Sequence, residues 1–245
     1  MAKKAIPLSE LPVVHKESDF TFSKDFFQSG AVMLLDKPLE WSSFDVVRYV
    51  RNRIGIKKVG HAGTLDPLAT GLLILCSGKA TKSISQIQDQ FKEYVATIKF
   101  GESTPSYDAA LDADQTKPWE HIELEHVKEA IENEFSGTIE QVPPIYSAIQ
   151  VKGERLYKKA RRGETLELPP RQITIHSTEI LSFDMPYCTV KIRCGKGTYI
   201  RSFAHDLGIV LDSRAHLTEL RRTKTGEFSV DDAVIPSKFD ELRKE

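Results

Sequence analysis

The loop from Gly60 to Gly71 contains the residues of this sequence best suited to chemistry. It reads GHAGTLDPLATG, so the carboxylate of Asp66 lies five residues after the imidazole of His61, among small residues. Small residues allow a large planar ligand to approach the backbone closely, and an ionised, oriented carboxylate can act as a covalent nucleophile. An Asp–Pro pair also commonly forms a simple turn, so the loop alone leaves a structural role for Asp66 open.

Predicted strands and helices on both sides must hold this loop in position. Apolar runs at 31–35 and 72–76 predict buried strands, and Ser42–Ser43 and Gly55 predict the start and end of a helix. Further strands are predicted at 94–100, 173–183, 187–194 and 217–225, and further helices at 122–135, 155–162 and 199–211. This mixture, with short turns between neighbouring strands, predicts an α+β fold with a mostly antiparallel mixed central sheet flanked by helices and loops.

The composition is that of an ordinary globular protein, with 245 residues, 40% hydrophobic, 28% charged and a net charge of -1. We predict an N-terminal extension at 1–30, one main domain at 31–230, and a short tail at 231–245 without a separate C-terminal domain. The three cysteines fit neither a disulfide framework nor a zinc site. Signal-peptide and membrane-span patterns are missing, which favours a cytoplasmic protein.

Basic residues are clustered in three runs even though the net charge is close to zero. Acidic residues concentrate elsewhere, at 108–134 and after 231. A charge run is usually only a solvated face, but this segregation is also typical of a surface that follows nucleic-acid phosphates. The runs are Arg51, Arg53, Lys57 and Lys58; Lys152, Arg155, Lys158, Lys159, Arg161 and Arg162; and Arg221, Arg222 and Lys224.

The Asp66 loop and its continuation to residue 82, GHAGTLDPLATGLLILCSGKATK, resemble the central signature of the TruB-type tRNA pseudouridine-55 synthases. Five further motifs resemble that family in its order, between about residues 31 and 225. They are LLDKP at 34–38 followed by Ser42–Ser43, KEY at 92–94, PIYSAI at 144–149, GKGTYIR at 195–201 and LRR at 220–222. The resemblance implies the pseudouridine synthase fold, with an active-site cleft across the sheet.

The resemblance also implies a reaction and its catalytic residues. The N-glycosidic bond of a uridine in the T arm of tRNA breaks, the base turns, and its C5 is joined to the sugar. This isomerisation needs no cofactor and no metal. Asp66 would be the catalytic carboxylate, Arg201 would pair with it, and Tyr94 would stack on the base and exchange protons.

The remaining site residues follow from the same motifs. His61 would fill the space left by the flipped base, Leu220 would form an apolar wall, and Tyr199 and Lys37 would contact the substrate. Contacts with the RNA backbone are expected from Lys158, Lys159, Arg161 and Arg162. The protein would act on tRNA as a monomer, without a membrane or an obligate protein partner.

Two features depart from the family pattern, and one other function remains open. The loop after Gly101 reads ESTPSYDAALDAD, with Asp108 at the position of a family Asp, and its altered residues are expected to meet RNA. The small C-terminal RNA-binding domain of many members is not expected here.

The alternative function is an RNA-folding chaperone that uses the same surface without needing catalysis. Nucleotide-binding loops and the ligand set of a zinc deaminase are missing from the sequence.

Overall fold

The computed structural model describes residues 5–18, 23–147, 150–151, 154–155, 162 and 168–242. The chain divides into two compact units, one formed by Met1–Tyr94 with Leu220–Glu245 and the other by Val95–Glu219. The predicted boundaries at residues 30 and 230 stay predictions. No helix among these described residues is long and apolar enough to cross a membrane.

The helices and strands follow closely the order that the sequence predicts. The described residues form the helices α1 (Lys24–Ser29), α2 (Ser43–Ile54), α3 (Ile84–Gln88), α4 (Leu124–Glu134) and α5 (Ile200–Val210). The strands are β1 (Val13–Val14), β2 (Val32–Lys37), β3 (Val59–His61), β4 (Ala69–Ser77), β5 (Lys92–Phe100), β6 (Glu102–Ser103), β7 (Gln115–Thr116), β8 (Gly137–Gln141), β9 (Gln150–Val151), β10 (Glu154–Arg155), β11 (Arg171–Asp184), β12 (Tyr187–Cys194), β13 (Ala215–Thr225) and β14 (Phe228–Ser229).

The first unit is built around β4, which is buried along nearly its whole length. β4 pairs antiparallel with β2 and β3 and parallel with β13, while β1 lies parallel to β2. Because side chains alternate between the faces of a strand, β2 and β4 supply two separate apolar clusters. Met33, Leu35, Leu73 and Leu75 belong to one cluster, and Val32, Leu34, Leu72 and Ile74 belong to the other.

Helix α2 begins and ends where the sequence predicts. Ser42 is its N-cap and forms a capping box with Asp45, and Gly55 ends it in a left-handed conformation with φ of 66°. The residues that face the core are Val46, Val47, Val50 and Ile54. Phe44 is apolar but 60% exposed, because the buried stripe of the helix passes through Val46 instead.

The second unit contains the long antiparallel hairpin of β11 and β12, with β8 on the other side of β11. Helices α4 and α5 are joined by an edge-to-face contact of Phe135, which follows α4, with Phe203 at a centroid distance of 4.9 Å. The predicted basic helix at 155–162 lies largely outside the described residues; Arg155 itself belongs to β10. The α+β fold, with a large mixed sheet flanked by helices, is confirmed.

Candidate active site

Asp66 lies in the loop that leaves β3 at His61 and enters β4 at Ala69. Its side chain is partly exposed, whereas the preceding Leu65 is buried. The Ser43 hydroxyl, in the first turn of α2, accepts a hydrogen bond from the Leu65 N–H (2.8 Å) and donates one to the Leu65 carbonyl (3.0 Å). On the other side, the Ala69 N–H donates to the Asp66 carbonyl at 3.0 Å. The backbone of Asp66 is therefore fixed from both directions.

Lys37, at the end of β2, links the Asp66 loop to the residues between β2 and α2 through hydrogen bonds from a buried ammonium group. Its side chain is buried, and its ammonium group donates to the carbonyls of Pro38 (2.9 Å), Trp41 (2.6 Å) and Pro67 (3.3 Å). Burial lowers the pKa of Lys37 to about 8, although the negative charge of Asp66 acts in the opposite direction. The described contacts of Lys37 are with backbone of its own unit, and substrate contact by Lys37 stays a prediction.

The lowered pKa of Lys37 predicts a pH dependence of stability that the variant Lys37→Met should lack. Between about pH 8 and the ordinary lysine pKa, the unfolded chain binds the proton and the folded chain has released it. The free energy of unfolding of the wild type should therefore rise with pH, relative to Lys37→Met, by up to about 1.4 kcal/mol per pH unit. Denaturant unfolding from pH 7 to 9.5 measures this difference. The exposed control Lys238→Met keeps Lys37, so its free energy of unfolding should follow that of the wild type with a difference that does not change with pH. If the difference between the wild type and Lys37→Met is equally constant over this range, the assignment of the lowered pKa to Lys37 is wrong.

Gly71 lies between Lys37 on β2 and Arg222 on β13 in the register of the sheet. Its φ is 100°, and a Cβ atom at this position would lie 2.3 Å from the Arg222 carbonyl oxygen. The Arg222 side chain is buried and donates from Nε to the Leu72 carbonyl (2.6 Å) and from Nη2 to the Gly63 carbonyl (3.3 Å). Arg222 therefore tethers the first half of the Asp66 loop to β4.

The burial of Arg222 corrects its assignment to a basic surface run. From the sequence we placed Arg221 and Arg222 in a basic surface run, but Arg222 is only 2% exposed and lies in the interior. Arg221 forms a two-pronged ion pair with Asp36, at 2.7 and 3.0 Å. Neighbouring residues of a strand point to opposite faces, so one of the two arginines had to turn away from the surface patch.

Gly71→Ala is expected to destabilise the protein by at least about 3 kcal/mol, because it combines a left-handed backbone with a steric collision against backbone atoms. Gly137→Ala is the matched control, since Gly137 has φ of 75° but a Cβ atom there would have nothing within 4 Å. The control should lose only about 1 kcal/mol. Thermal unfolding of both variants measures the difference, and equal losses would show that the contact with Arg222 is unimportant.

The other predicted residues of the first unit lie on the same framework. His61 pairs with Leu75 across β3 and β4, and burial lowers the pKa of its imidazole, which keeps the ring neutral at pH 7. Leu220 is the register partner of Ala69, three residues after Asp66. Leu220 and Tyr94 both pack, partly buried, against the apolar cluster that contains Leu65. The structure therefore brings Asp66, Leu220, Tyr94 and Lys37 onto one framework.

Arg201 belongs to the second unit, where it is buried at the start of α5. Its guanidinium donates to the carbonyls of Ser106 (2.9 Å) and Tyr146 (2.9 Å), and its Nε lies 3.6 Å from an oxygen of Asp108. Two of these partners, Ser106 and Asp108, lie in the loop after Gly101. The predicted pairing of Arg201 with Asp66 stays a prediction.

Asp108 has a larger structural role than its sequence suggested. It is 7% exposed, and its Oδ1 accepts hydrogen bonds from the Ser106 hydroxyl (2.6 Å) and the Ala110 N–H (3.0 Å). The neighbouring Tyr107 adopts a left-handed φ of 62° and stacks on His205 of α5 at 3.7 Å. In this loop, which was expected to meet RNA, the Asp108 carboxylate lies next to the Arg201 guanidinium. The sequence signal for this arrangement was the position of Asp108 in the family pattern.

Tyr199 stands immediately before α5 and is held by its backbone. The Gln141 side chain accepts from the Tyr199 N–H (2.8 Å) and donates to its carbonyl (3.0 Å).

Of the residues expected at the RNA backbone, Lys158, Lys159 and Arg161 lie outside the described residues, and Arg162 is an exposed turn residue. Among the described residues there is no group of three or more His, Cys, Asp or Glu side chains that could hold a metal ion.

The chain matches known proteins along most of its length. It is 48% identical over 222 residues to tRNA pseudouridine synthase B of Flavobacterium johnsoniae, covering 88% of this chain and 96% of that protein. It is 51% identical over 225 residues to the protein of that name in Bacteroides thetaiotaomicron, covering 88% and 93%.

A solved structure shows a related fold. A chain in the crystal structure of a Cbf5-Nop10-Gar1 complex superposes with a TM-score of 0.64 and 26% identity, over 88% of this chain but 58% of that one. The family model for the N-terminal domain of TruB family pseudouridylate synthases matches residues 51–200, and that for the tRNA pseudouridylate synthase B C-terminal domain matches residues 201–243. This chain belongs to the TruB family of pseudouridylate synthases.

Proposed function

We propose that this protein isomerises uridine 55 in the T loop of tRNA to pseudouridine. The observation that carries the proposal is Asp66, partly exposed within a loop whose backbone is held by Ser43, Lys37 and Arg222. A chaperone would need a surface for RNA but not an oriented carboxylate, and the comparisons favour the enzyme over the chaperone. We further propose that the protein works in the cytoplasm, as a monomer and without a cofactor.

In the proposed reaction the bond between N1 of uracil and C1′ of ribose breaks and a bond between C5 and C1′ forms. The proton on C5 is lost and N1 gains one, so atoms and charge balance without an oxidant or a co-reactant. Asp66 supplies the carboxylate that attacks the base or the sugar or assists bond cleavage. Tyr94 stacks on the base and accepts or donates the transferred proton.

The remaining residues bind the flipped nucleotide or orient Asp66. The neutral, flat ring of His61 suits the space left in the RNA stack, and Leu220 and Tyr199 line the bound nucleotide. We propose that Arg201 pairs with the Asp66 carboxylate, since a guanidinium offers two parallel donors to an acid. Lys37 acts as a positioning residue through the Pro67 carbonyl, in addition to the favourable interaction of its charge with Asp66.

The direct test is conversion of an unmodified tRNA transcript by the purified protein, in buffer without metal or nucleotide. Pseudouridine should appear at position 55, mapped by chemical labelling and sequencing. A transcript with cytidine at position 55 is the control and should gain no pseudouridine elsewhere. Absence of product from the first transcript would refute the proposed activity.

A T-arm stem-loop alone should be modified about as efficiently as whole tRNA. Sequence-specific recognition of RNA mostly reads splayed loop bases, while stems are read by shape, so one stem and its loop satisfy such a site. Rates for both substrates at matched salt check this, together with the salt dependence of their affinities, which should be similar. A large preference for whole tRNA, with a steeper salt dependence, would show contacts beyond the T arm.

A further inference from the structure

A concave surface of the first unit, with a volume of about 460 Å³, brings together four lysines from three separate segments of the chain. Lys24 comes from α1 in the N-terminal extension, Lys57 and Lys58 from the turn after α2, and Lys79 from the 3₁₀ turn after β4. Half of the residues that line it are lysines and none is acidic. We call it the lysine pocket.

None of these four ammonium groups forms an ion pair or a side-chain hydrogen bond with any residue that the structure describes. The dipole of α2 does not explain them, because Arg51 and Arg53 already occupy the last turn of that helix. Like charges gathered on one surface repel each other, and a concave wall concentrates their field. The arrangement is therefore suited to a bound anion.

The walls of the pocket are held rigidly by the backbone. A Cβ atom on Gly78 would lie 2.2 Å from the Gln28 carbonyl oxygen, and one on Gly30 would lie 2.6 Å from the Ala80 nitrogen. Phe27 anchors α1 in the core, being only 1% exposed. The Gly78 N–H donates to the Lys58 carbonyl at 2.8 Å and joins the remaining wall. Close packing and this hydrogen bond thus hold together the three segments that carry the lysines.

We propose that the lysine pocket binds a backbone phosphate of the substrate RNA, and that the N-terminal extension is thereby part of the RNA-binding surface. The pocket lies at the amino end of β3, whose carboxyl end is His61. At about 3.3 Å per residue, the three-residue strand spans about 10 Å, so the pocket is within a few nucleotides of the proposed base-flipping position. That proximity favours a phosphate within a polynucleotide strand over a free one. Lysine binds phosphate as a point charge, which suits backbone contact without sequence reading.

This inference rests on the proposed function for the identity of the RNA, and its test reads binding separately from turnover. The dissociation constant for unmodified tRNA is measured against salt concentration for the full-length wild type and for Lys24→Gln/Lys79→Gln. The pocket variant should bind roughly five- to tenfold more weakly near 0.1 M salt, and its log–log salt slope should be shallower by about one. The single-turnover rate at saturating enzyme should be unchanged.

The control variant Lys128→Gln/Lys238→Gln makes the same change in net charge at two exposed lysines outside the pocket. Equal slopes for the pocket and control variants would overturn the proposal. Saturable binding of inorganic phosphate that the pocket variant abolishes, with no change in the tRNA slope, would also overturn it and assign the pocket to free phosphate. If the wild type makes no pseudouridine while the slopes still differ, the proposed activity fails and the phosphate site stands.

Discussion

Asp66→Asn should lower turnover of tRNA by at least about 10⁴-fold, because an amide of nearly the same shape cannot serve as the carboxylate nucleophile. The tRNA affinity should stay within about twofold of the wild type, since phosphate contacts elsewhere on the surface supply most of it. Single-turnover formation of pseudouridine and a filter-binding titration measure the two quantities.

Asp184→Asn is the matched control for this change. Asp184 is an exposed carboxylate at the end of β11 in the second unit, outside the loop expected to meet RNA, so the same loss of one negative charge should leave the rate unaltered. Near wild-type turnover of Asp66→Asn would show that Asp66 serves the turn before Pro67 and that the catalytic group lies elsewhere. An unfolded variant is distinguished by its loss of tRNA binding.

Arg201→Lys should lower kcat by about 10²- to 10³-fold even though the positive charge is retained. The guanidinium is shared among the carbonyls of Ser106 and Tyr146 and the carboxylate of Asp108. A lysine cannot reach these partners with a planar, multi-pronged donor, and a displacement of about 1 Å in a catalytic group can cost 10²-fold in rate. The free energy of unfolding should fall by about 1–3 kcal/mol, because a buried carbonyl loses its donor.

Arg48→Lys provides the comparison, since Arg48 is an exposed arginine whose ion pair with Asp45 is of the weak surface type. Both its rate and its stability should match the wild type. If Arg201→Lys loses stability but keeps its kcat at temperatures where it is fully folded, Arg201 is a structural residue of the second unit. The proposed pairing with Asp66 would then be wrong.

The family, the α+β class and most elements could be predicted from the sequence because their signals are local. The caps of α2 at Ser42 and Gly55 depend on residues within a few positions of the helix ends. The apolar runs of β2 and β4 reveal buried strands in the same way. The Asp66 loop stood out because its glycines, its histidine and its acid occur within twelve consecutive residues.

Only the tertiary structure decided what the charged residues near this loop contact. Lys37 and Arg222 are ordinary cations in the sequence, yet both are buried and hold loop carbonyls at Pro67 and Gly63, with Arg222 and Gly63 separated by 159 positions. Adjacent residues such as Arg221 and Arg222 point to opposite faces of a strand, and which face is buried depends on packing by distant segments. The same holds for the contacts of Arg201 with Ser106 and Asp108. It also holds for the lysine pocket, where Lys24 and Lys79 lie close together although they are distant in the sequence.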